Sequence, residues 1–129
     1  MIYVDSSVPA AILFRENGFE SLIKVFKDST SLPLSSLLIE AEVCAATRRE
    51  NLDIEFAITH LKQIKIIFPH RSLNDEYARI FALGHCRGAD AHHLATALYL
   101  DPTARHLTFF TRDKKQESLA HKLGFKTLP

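Results

Sequence analysis

The sequence Ile-Tyr-Val-Asp-Ser-Ser, residues 2–7, places a short apolar run directly before an acid and two hydroxyl residues. The apolar run Ile2–Val4 is rich in β-branched and aromatic side chains, which is typical of a buried strand. Asp5 and the two serines have the composition of a helix start. Residues 107–113, Leu-Thr-Phe-Phe-Thr-Arg-Asp, repeat this order, with Asp113 after the apolar run. Each segment therefore predicts a strand that ends at an acid and leads into a helix.

Helical and extended patterns alternate through the rest of the chain. The segment 37–49 is apolar at positions 37, 38, 41, 44 and 45, and this spacing predicts a helix. The remaining predictions are a helix that holds Pro9 in its first turn and stops at Asn17-Gly18, helices over 19–27, 53–64, 72–83 with Ser72 as cap, 89–100 and 113–124, and extended segments over 33–35, 65–68 and 125–128. Because parallel neighbours need crossover connections, this alternation predicts the α/β class, with a short, central, mainly parallel sheet flanked by helices.

Size and composition predict one domain that spans residues 1–129. With 129 residues and 47% hydrophobic content, the chain can bury a continuous core without disulfides or a structural metal. Cys44 and Cys86 form no CxxC pair and are interpreted as buried small hydrophobic residues. The formal net charge of +1 gives no strong attraction to nucleic acid. Neither a basic leader with a cleavage site nor a long apolar stretch is present, so we expect a cytoplasmic protein without a membrane segment.

Two acids are predicted beyond the carboxyl ends of strands, where ligands bind in folds of this class. Asp5 suits a divalent cation that prefers oxygen ligands, or alternatively it caps the following helix. Asp113 has the same two interpretations, because Asp113 with Gln116 resembles a capping box. On neighbouring strands, these two carboxylates would repel each other unless a cation or a proton lay between them.

Two further acids lie on predicted helices. Asp90 opens the apolar helix over 89–100, where it either caps the helix or faces the same cleft. Glu42 and Glu40 lie on opposite borders of the apolar face of the helix 37–49, and the helical period does not choose between them. Basic residues near these acids suit either phosphate contacts or a solvated surface; they are Arg48, Arg49, Arg87, Arg112, Lys114 and Lys115.

Other kinds of site are not favoured by the pattern. The group of His85, Cys86, His92 and His93 does not suit zinc, because adjacent residues on a helix point about 100° apart. The sequence has no glycine-rich phosphate loop, and nothing in it places a serine, a histidine and an aspartate together as a hydrolase triad.

Four stretches together resemble the PIN-domain family, and the VapC toxins within it, over nearly the whole chain. They are IYVDSS at 2–7, SSLLIEAEVCAATRR at 35–49, RGADAHHLATAL at 87–98 and LTFFTRDKKQESLAHKLGF at 107–125. The resemblance places the metal-binding acids of the family on Asp5, Glu42, Asp90 and Asp113. It selects Glu42 over Glu40 through the small residues and the basic pair that follow.

The resemblance implies a metal-dependent endoribonuclease that binds Mg²⁺ or Mn²⁺ and hydrolyses RNA with metal-activated water. Ser6 and Thr111 would be the hydroxyl companions of the first and last acids. His93 would be either a structural residue or one that contacts the metal ligands without binding the metal itself. The resemblance also implies a VapB-like antitoxin and a homodimer of the toxin. The alternatives are a stand-alone PIN nuclease of RNA processing, a non-catalytic PIN-like RNA-binding module, and a small α/β protein whose acids serve only as caps.

Overall fold

The computed structural model describes residues 1–128. The elements in chain order are β1 (Ile2–Val4), α1 (Ser7–Leu13), α2 (Phe19–Lys27), β2 (Leu34–Ser36), α3 (Leu38–Arg49), α4 (Ile54–Leu61), β3 (Lys65–Ile67), α5 (Asn74–Phe81), α6 (Gly88–Leu100), β4 (Thr108–Phe110), α7 (Lys114–Leu123) and β5 (Lys126–Thr127). Strands and helices alternate as predicted from the sequence, and the α/β class is confirmed.

The five strands form one sheet in the order β3-β2-β1-β4-β5, and every pairing between them is parallel. The central strand is β1, in which Tyr3 pairs with Leu34 of β2 and Val4 pairs with Phe110 of β4. From β1 the chain proceeds outward to β2 and β3, and then returns to the other side for β4 and β5. The strand order therefore reverses between β1 and β4, and a crevice is expected beyond the carboxyl ends of these two strands.

Both faces of the sheet are covered, because successive residues of the central strands point to opposite sides. Tyr3 and Phe109 belong to the core cluster under α5, α6 and α7, with their rings stacked at a centroid distance of 5.3 Å. Their neighbours Val4 and Phe110 belong to the cluster under α1, α2, α3 and α4. The strands are thus buried on both sides, as their unbroken apolar sequence predicts.

Several predicted helix starts differ from the observed ones by one or two residues, and in two helices the capping residue differs as well. Arg87 is extended and is the N-cap residue of α6, so this helix begins at Gly88 and Asp90 lies inside its first turn. Leu73, not Ser72, is the N-cap residue of α5, although the Ser72 hydroxyl oxygen accepts the N–H of Asn74. Within residues 1–128, no helix combines the length and the apolar character needed to cross a bilayer.

Candidate functional site

Asp5 lies directly beyond β1 and is only 5% exposed. Its Oδ1 accepts the backbone N–H and the hydroxyl of Ser7, and its Oδ2 accepts the hydroxyl of Thr111, which follows β4. Burial raises the pKa of Asp5, while the hydrogen bonds from Ser7 and Thr111 and the charge of His93 act in the opposite direction. Asp5 is not the N-cap residue of α1, because that position is occupied by Ser6. The parallel register therefore joins Asp5 to the end of the neighbouring strand.

Glu42 reaches the same region from α3. Its Oε1 lies 2.6 Å from Nε2 of His93, and its Oε2 accepts the hydroxyl of Ser6 at 3.2 Å. The neighbouring acid Glu40 is exposed. The structure thus places Glu42, and not Glu40, beside the residues that follow β1, which the helical period alone left open.

His93 connects Glu42 to the core. Its Nδ1 lies 2.9 Å from the hydroxyl of Tyr3, and the two side chains are almost completely buried. Burial raises the pKa of the Tyr3 phenol far above its ordinary value, and the nearby hydroxyls of Ser36 and Ser35 oppose this only in part, so the phenol keeps its proton. Sequence reasoning missed Tyr3, which was interpreted only as part of an apolar strand. A single tyrosine in such a strand carries no local sign of a polar contact 90 residues away.

Asp113 is the N-cap residue of α7. Its Oδ1 accepts the backbone N–H groups of Lys115 and Gln116, so the capping role considered for this residue is observed. The reciprocal half of a capping box is not formed, because the Asp113 N–H donates instead to the hydroxyl oxygen of Thr111. Thr111 therefore contacts both acids, Asp5 through its hydroxyl proton and Asp113 through its oxygen.

Asp90 is held by Gln116 through its backbone carbonyl and by Arg87 through its carboxylate. The side chain of Gln116 is buried, and its Nε2 donates to the carbonyl of Asp90 at 2.9 Å, which ties the start of α6 to α7. The Asp90 carboxylate accepts from Nε of Arg87 at 3.4 Å. Among the described residues, Oε1 of Gln116 is a buried acceptor without a hydrogen-bond partner. Sequence reasoning assigned Gln116 only to the cap of its own helix and missed this contact between helices.

The four predicted acids thus come from the end of β1, α3, α6 and the loop after β4. Thr111 links Asp5 to Asp113, and Gln116 links Asp113 to the backbone of Asp90, whereas Glu42 contacts Ser6 and His93. The carboxylate oxygens of the four acids are the ligands that Mg²⁺ and Mn²⁺ prefer. Within residues 1–128, no three His, Cys, Asp or Glu side chains lie close enough together to form a ready metal site. The chemistry of the four carboxylates therefore fits a hard cation.

Several basic residues near the acids are paired. Arg87 binds Asp90, Arg112 binds Glu16 at 2.8 Å, and Lys114 lies 3.4 Å from Glu117. Next to Asp113, a depression of about 420 Å³ is bordered by Ser7, Ala10, Glu16 and Arg112. The positive charge close to the acids is thus partly neutralised by neighbouring carboxylates.

A larger cavity of about 600 Å³ opens between α1, α2 and α4. Its lining is mainly apolar and includes Ile12, Ile23, Phe26 and Ile64. Val4 also contributes to the lining, directly before Asp5 in the chain. The sequence pattern did not predict this groove, because its walls come from helices that meet only in the folded chain.

The fold and the site define an α/β domain with acids at the point where the strand order reverses. The chain belongs to the PIN domain family, whose model matches residues 2–122. A 2.2 Å structure of VapBC-1 from nontypeable Haemophilus influenzae is similar, with a TM-score of 0.70 and 12% sequence identity over 99% of this chain and 97% of that chain. At this identity the likeness confirms the fold. No curated protein compared with the chain matches it in sequence.

Proposed function

We propose that this protein is a Mg²⁺- or Mn²⁺-dependent endoribonuclease toxin of a VapBC-type system, with Asp5, Glu42, Asp90 and Asp113 as its metal-binding and catalytic acids. PIN domains are generally nucleases, and the similar solved structure is that of VapBC-1. The observation that carries the proposal is the hydrogen bonding of Asp5 and Asp113 to Thr111 at the reversal of the strand order, with Glu42 bound to Ser6, the residue after Asp5.

The residues around the acids prepare them for this chemistry. Thr111 and Ser7 orient both oxygens of Asp5, and Ser6 and His93 orient those of Glu42, so little ordering would be needed when substrate binds. Mg²⁺ keeps several waters and is commonly held by one or two carboxylates together with a phosphate. When bound, a divalent ion supplies an activated water and neutralises charge on the phosphate.

An RNA-cleavage assay with Mg²⁺, Mn²⁺ or EDTA tests the proposal. We expect cleavage by the wild type with either metal and none in EDTA. Glu42→Gln should lose more activity than the roughly 10–100-fold that an outer-shell partner costs, and Asp5→Asn should behave likewise. Glu40→Gln is the matched control, since this exposed acid lies two residues from Glu42 in the same helix. RNA binding that persists in EDTA, with no cleavage in Mn²⁺, would instead indicate a non-catalytic binding module.

The attacking group determines the ends of the products. A bound divalent ion would supply an activated water as the attacking group in place of the ribose 2′-hydroxyl, and the products would then carry a 5′-phosphate and a 3′-hydroxyl. End-labelling of the cleaved RNA measures this directly. A 2′,3′-cyclic phosphate would contradict the proposed mechanism.

A VapB-like antitoxin and a homodimer complete the proposal. The apolar groove between α1, α2 and α4 offers a surface on which an amphipathic segment of such a partner would bury apolar side chains. Co-expression with the adjacent reading frame should yield a complex that co-purifies. Light scattering after size exclusion should give twice the mass of the chain. If no adjacent frame supplies a binding partner, the stand-alone RNA-processing nuclease becomes the better interpretation.

A further inference from the structure

A buried chain of two hydrogen bonds runs from the core to the edge of the site. Tyr3 lies in the central strand with no exposed surface, His93 lies in α6 and is 1% exposed, and the side chain of Glu42 is 25% exposed. The hydroxyl of Tyr3 contacts Nδ1 of His93 at 2.9 Å, and Nε2 of His93 contacts Oε1 of Glu42 at 2.6 Å. Both nitrogens of the imidazole are therefore occupied, one on the core side and one on the acid side.

The Glu42 carboxylate determines which ring nitrogen of His93 must carry a proton. An ionised carboxylate only accepts hydrogen bonds, so the short contact with Glu42 requires a proton on Nε2 of His93. The hydroxyl of Tyr3 can donate to Nδ1 or accept from it, so Tyr3 holds the second nitrogen of the ring in either case. With the proton on Nδ1 alone, a lone pair of Nε2 would face the carboxylate oxygen at 2.6 Å, which is repulsive.

We infer that Tyr3 and His93 are positioning residues: Tyr3 holds the imidazole of His93 through Nδ1, and the N–H at Nε2 of His93 fixes the Glu42 carboxylate for a divalent ion. The inference rests on the proposed function for the role of Glu42. The hydrogen bond occupies one lone pair of Oε1, and the carboxylate keeps others for an ion. Neither Tyr3 nor His93 contacts the substrate in this role.

Packing limits the motion of both rings. Tyr3 stacks on Phe109 with the ring planes 15° apart, and the Tyr3 and His93 rings meet edge to face at 5.9 Å. The hydrogen bonds also join three separate elements, the strand β1 and the helices α6 and α3. Displacement of Glu42 would therefore break contacts in the densely packed core.

The adjacent residue of α6 provides a matched control. Nδ1 of His92 lies 3.0 Å from the hydroxyl of Tyr77, which is again a tyrosine–histidine pair between two elements. This pair lies on a different side of the helix, because successive helical residues point about 100° apart. Tyr77→Phe removes the same chemical group as Tyr3→Phe without touching the contact between His93 and Glu42.

The first test reads the tautomer without metal, RNA or turnover. Long-range ¹H–¹⁵N spectra of histidine-labelled protein at one neutral pH should show a proton on Nε2 of His93. Tyr3→Phe should give a mixture of forms at His93, and Tyr77→Phe should leave the His93 signals unchanged. A wild-type His93 with its proton on Nδ1 alone would overturn the inference.

The second test measures Mn²⁺ binding by calorimetry. His93→Leu should weaken binding by roughly 10–100-fold, the usual cost of losing an outer-shell partner. His93→Gln should recover most of the affinity, because its amide N–H reaches towards the place of Nε2, and Tyr77→Phe should bind like the wild type. If a folded His93→Leu protein binds Mn²⁺ as the wild type does, the inference is wrong. Should that variant not fold, Tyr3→Phe decides, since unchanged affinity and an unchanged tautomer would equally overturn the inference.

Failure of the proposed function gives a different result. A wild type that shows the Nε2–H tautomer and the expected series of Mn²⁺ affinities, but cleaves no RNA, would support the positioning of Glu42 and refute the nuclease. A wild type that cleaves RNA, with a His93→Leu variant of equal affinity and rate, would support the nuclease and refute the positioning role.

Discussion

Thr111→Val removes the hydroxyl that joins Asp5 to Asp113 while keeping the size of the side chain. The hydroxyl donates to Oδ2 of Asp5 and accepts the N–H of Asp113, and Thr111 is only 5% exposed. A hydrogen bond to a charged group contributes about 1.5–3 kcal/mol. Asp5 keeps its bonds from Ser7, so we expect the free energy of unfolding at pH 7 to fall by about this amount. The corresponding decrease in Tm is about 5–12 °C for a domain of this size.

The pH dependence gives this prediction a second measurable feature. Thr111 lowers the pKa of Asp5, so its loss should raise that pKa further above the ordinary value of 3.8. The destabilisation should then be smallest at pH values where Asp5 is protonated in both folded and unfolded chains, and should grow as the pH rises through the folded pKa. Urea unfolding of both proteins at several pH values measures this difference.

A control substitution separates this effect from the general cost of replacing threonine by valine. Thr59→Val removes a hydroxyl that donates to the carbonyl of Glu55 on the exposed side of α4, and it should change stability by less than about 0.5 kcal/mol. If Thr111→Val costs no more than Thr59→Val, or if its cost does not vary with pH, then the Thr111 hydroxyl does not stabilise the Asp5 carboxylate and the reasoning is refuted.

Two further predictions concern acids with opposite pKa shifts. Burial raises the folded pKa of Asp5 above 3.8, so the contribution of Asp5 to stability is complete below pH 3.8 and is lost as the pH rises through the folded pKa. Asp5→Asn should therefore unfold at a urea concentration equal to or higher than that of the wild type at pH 7. A less stable variant would contradict this. At Asp101, burial acts to raise the pKa, but hydrogen bonds from the N–H groups of His106, Leu107 and Arg105 hold it below 3.8. The stability from this group is present above 3.8 and is lost as the pH falls through the folded pKa. Asp101→Ala should therefore cost about 2–4 kcal/mol at pH 7, because it leaves the buried N–H of Leu107 and the half-buried N–H of His106 unpaired, and it should cost less in acid. Thermal unfolding of wild type and variant at pH 7 and pH 3 checks this, and an equal cost at both values would exclude the carboxylate as its source.

Local patterns in the sequence were sufficient for the order and type of the elements. Apolar runs of three or four residues predicted β1 and β4, and helical spacing predicted α3, because side-chain periodicity reports which face of an element is buried. The same patterns placed Asp5 and Asp113 directly beyond strands, and the structure confirms both positions. The role of the four acids as metal ligands stays a prediction.

Contacts between distant residues required the folded chain. The helical period does not distinguish Glu42 from Glu40. Only the packing of α3 beside β1 and α6 brings Glu42 to Ser6 and His93. The pairing of Tyr3 with His93 spans 90 residues. The contact of Gln116 with Asp90 spans 26 residues. Sequence therefore determined which residues form strands and helices, since these depend on near neighbours, whereas the tertiary structure decided which polar groups meet, since burial leaves each of them only the partners that packing supplies.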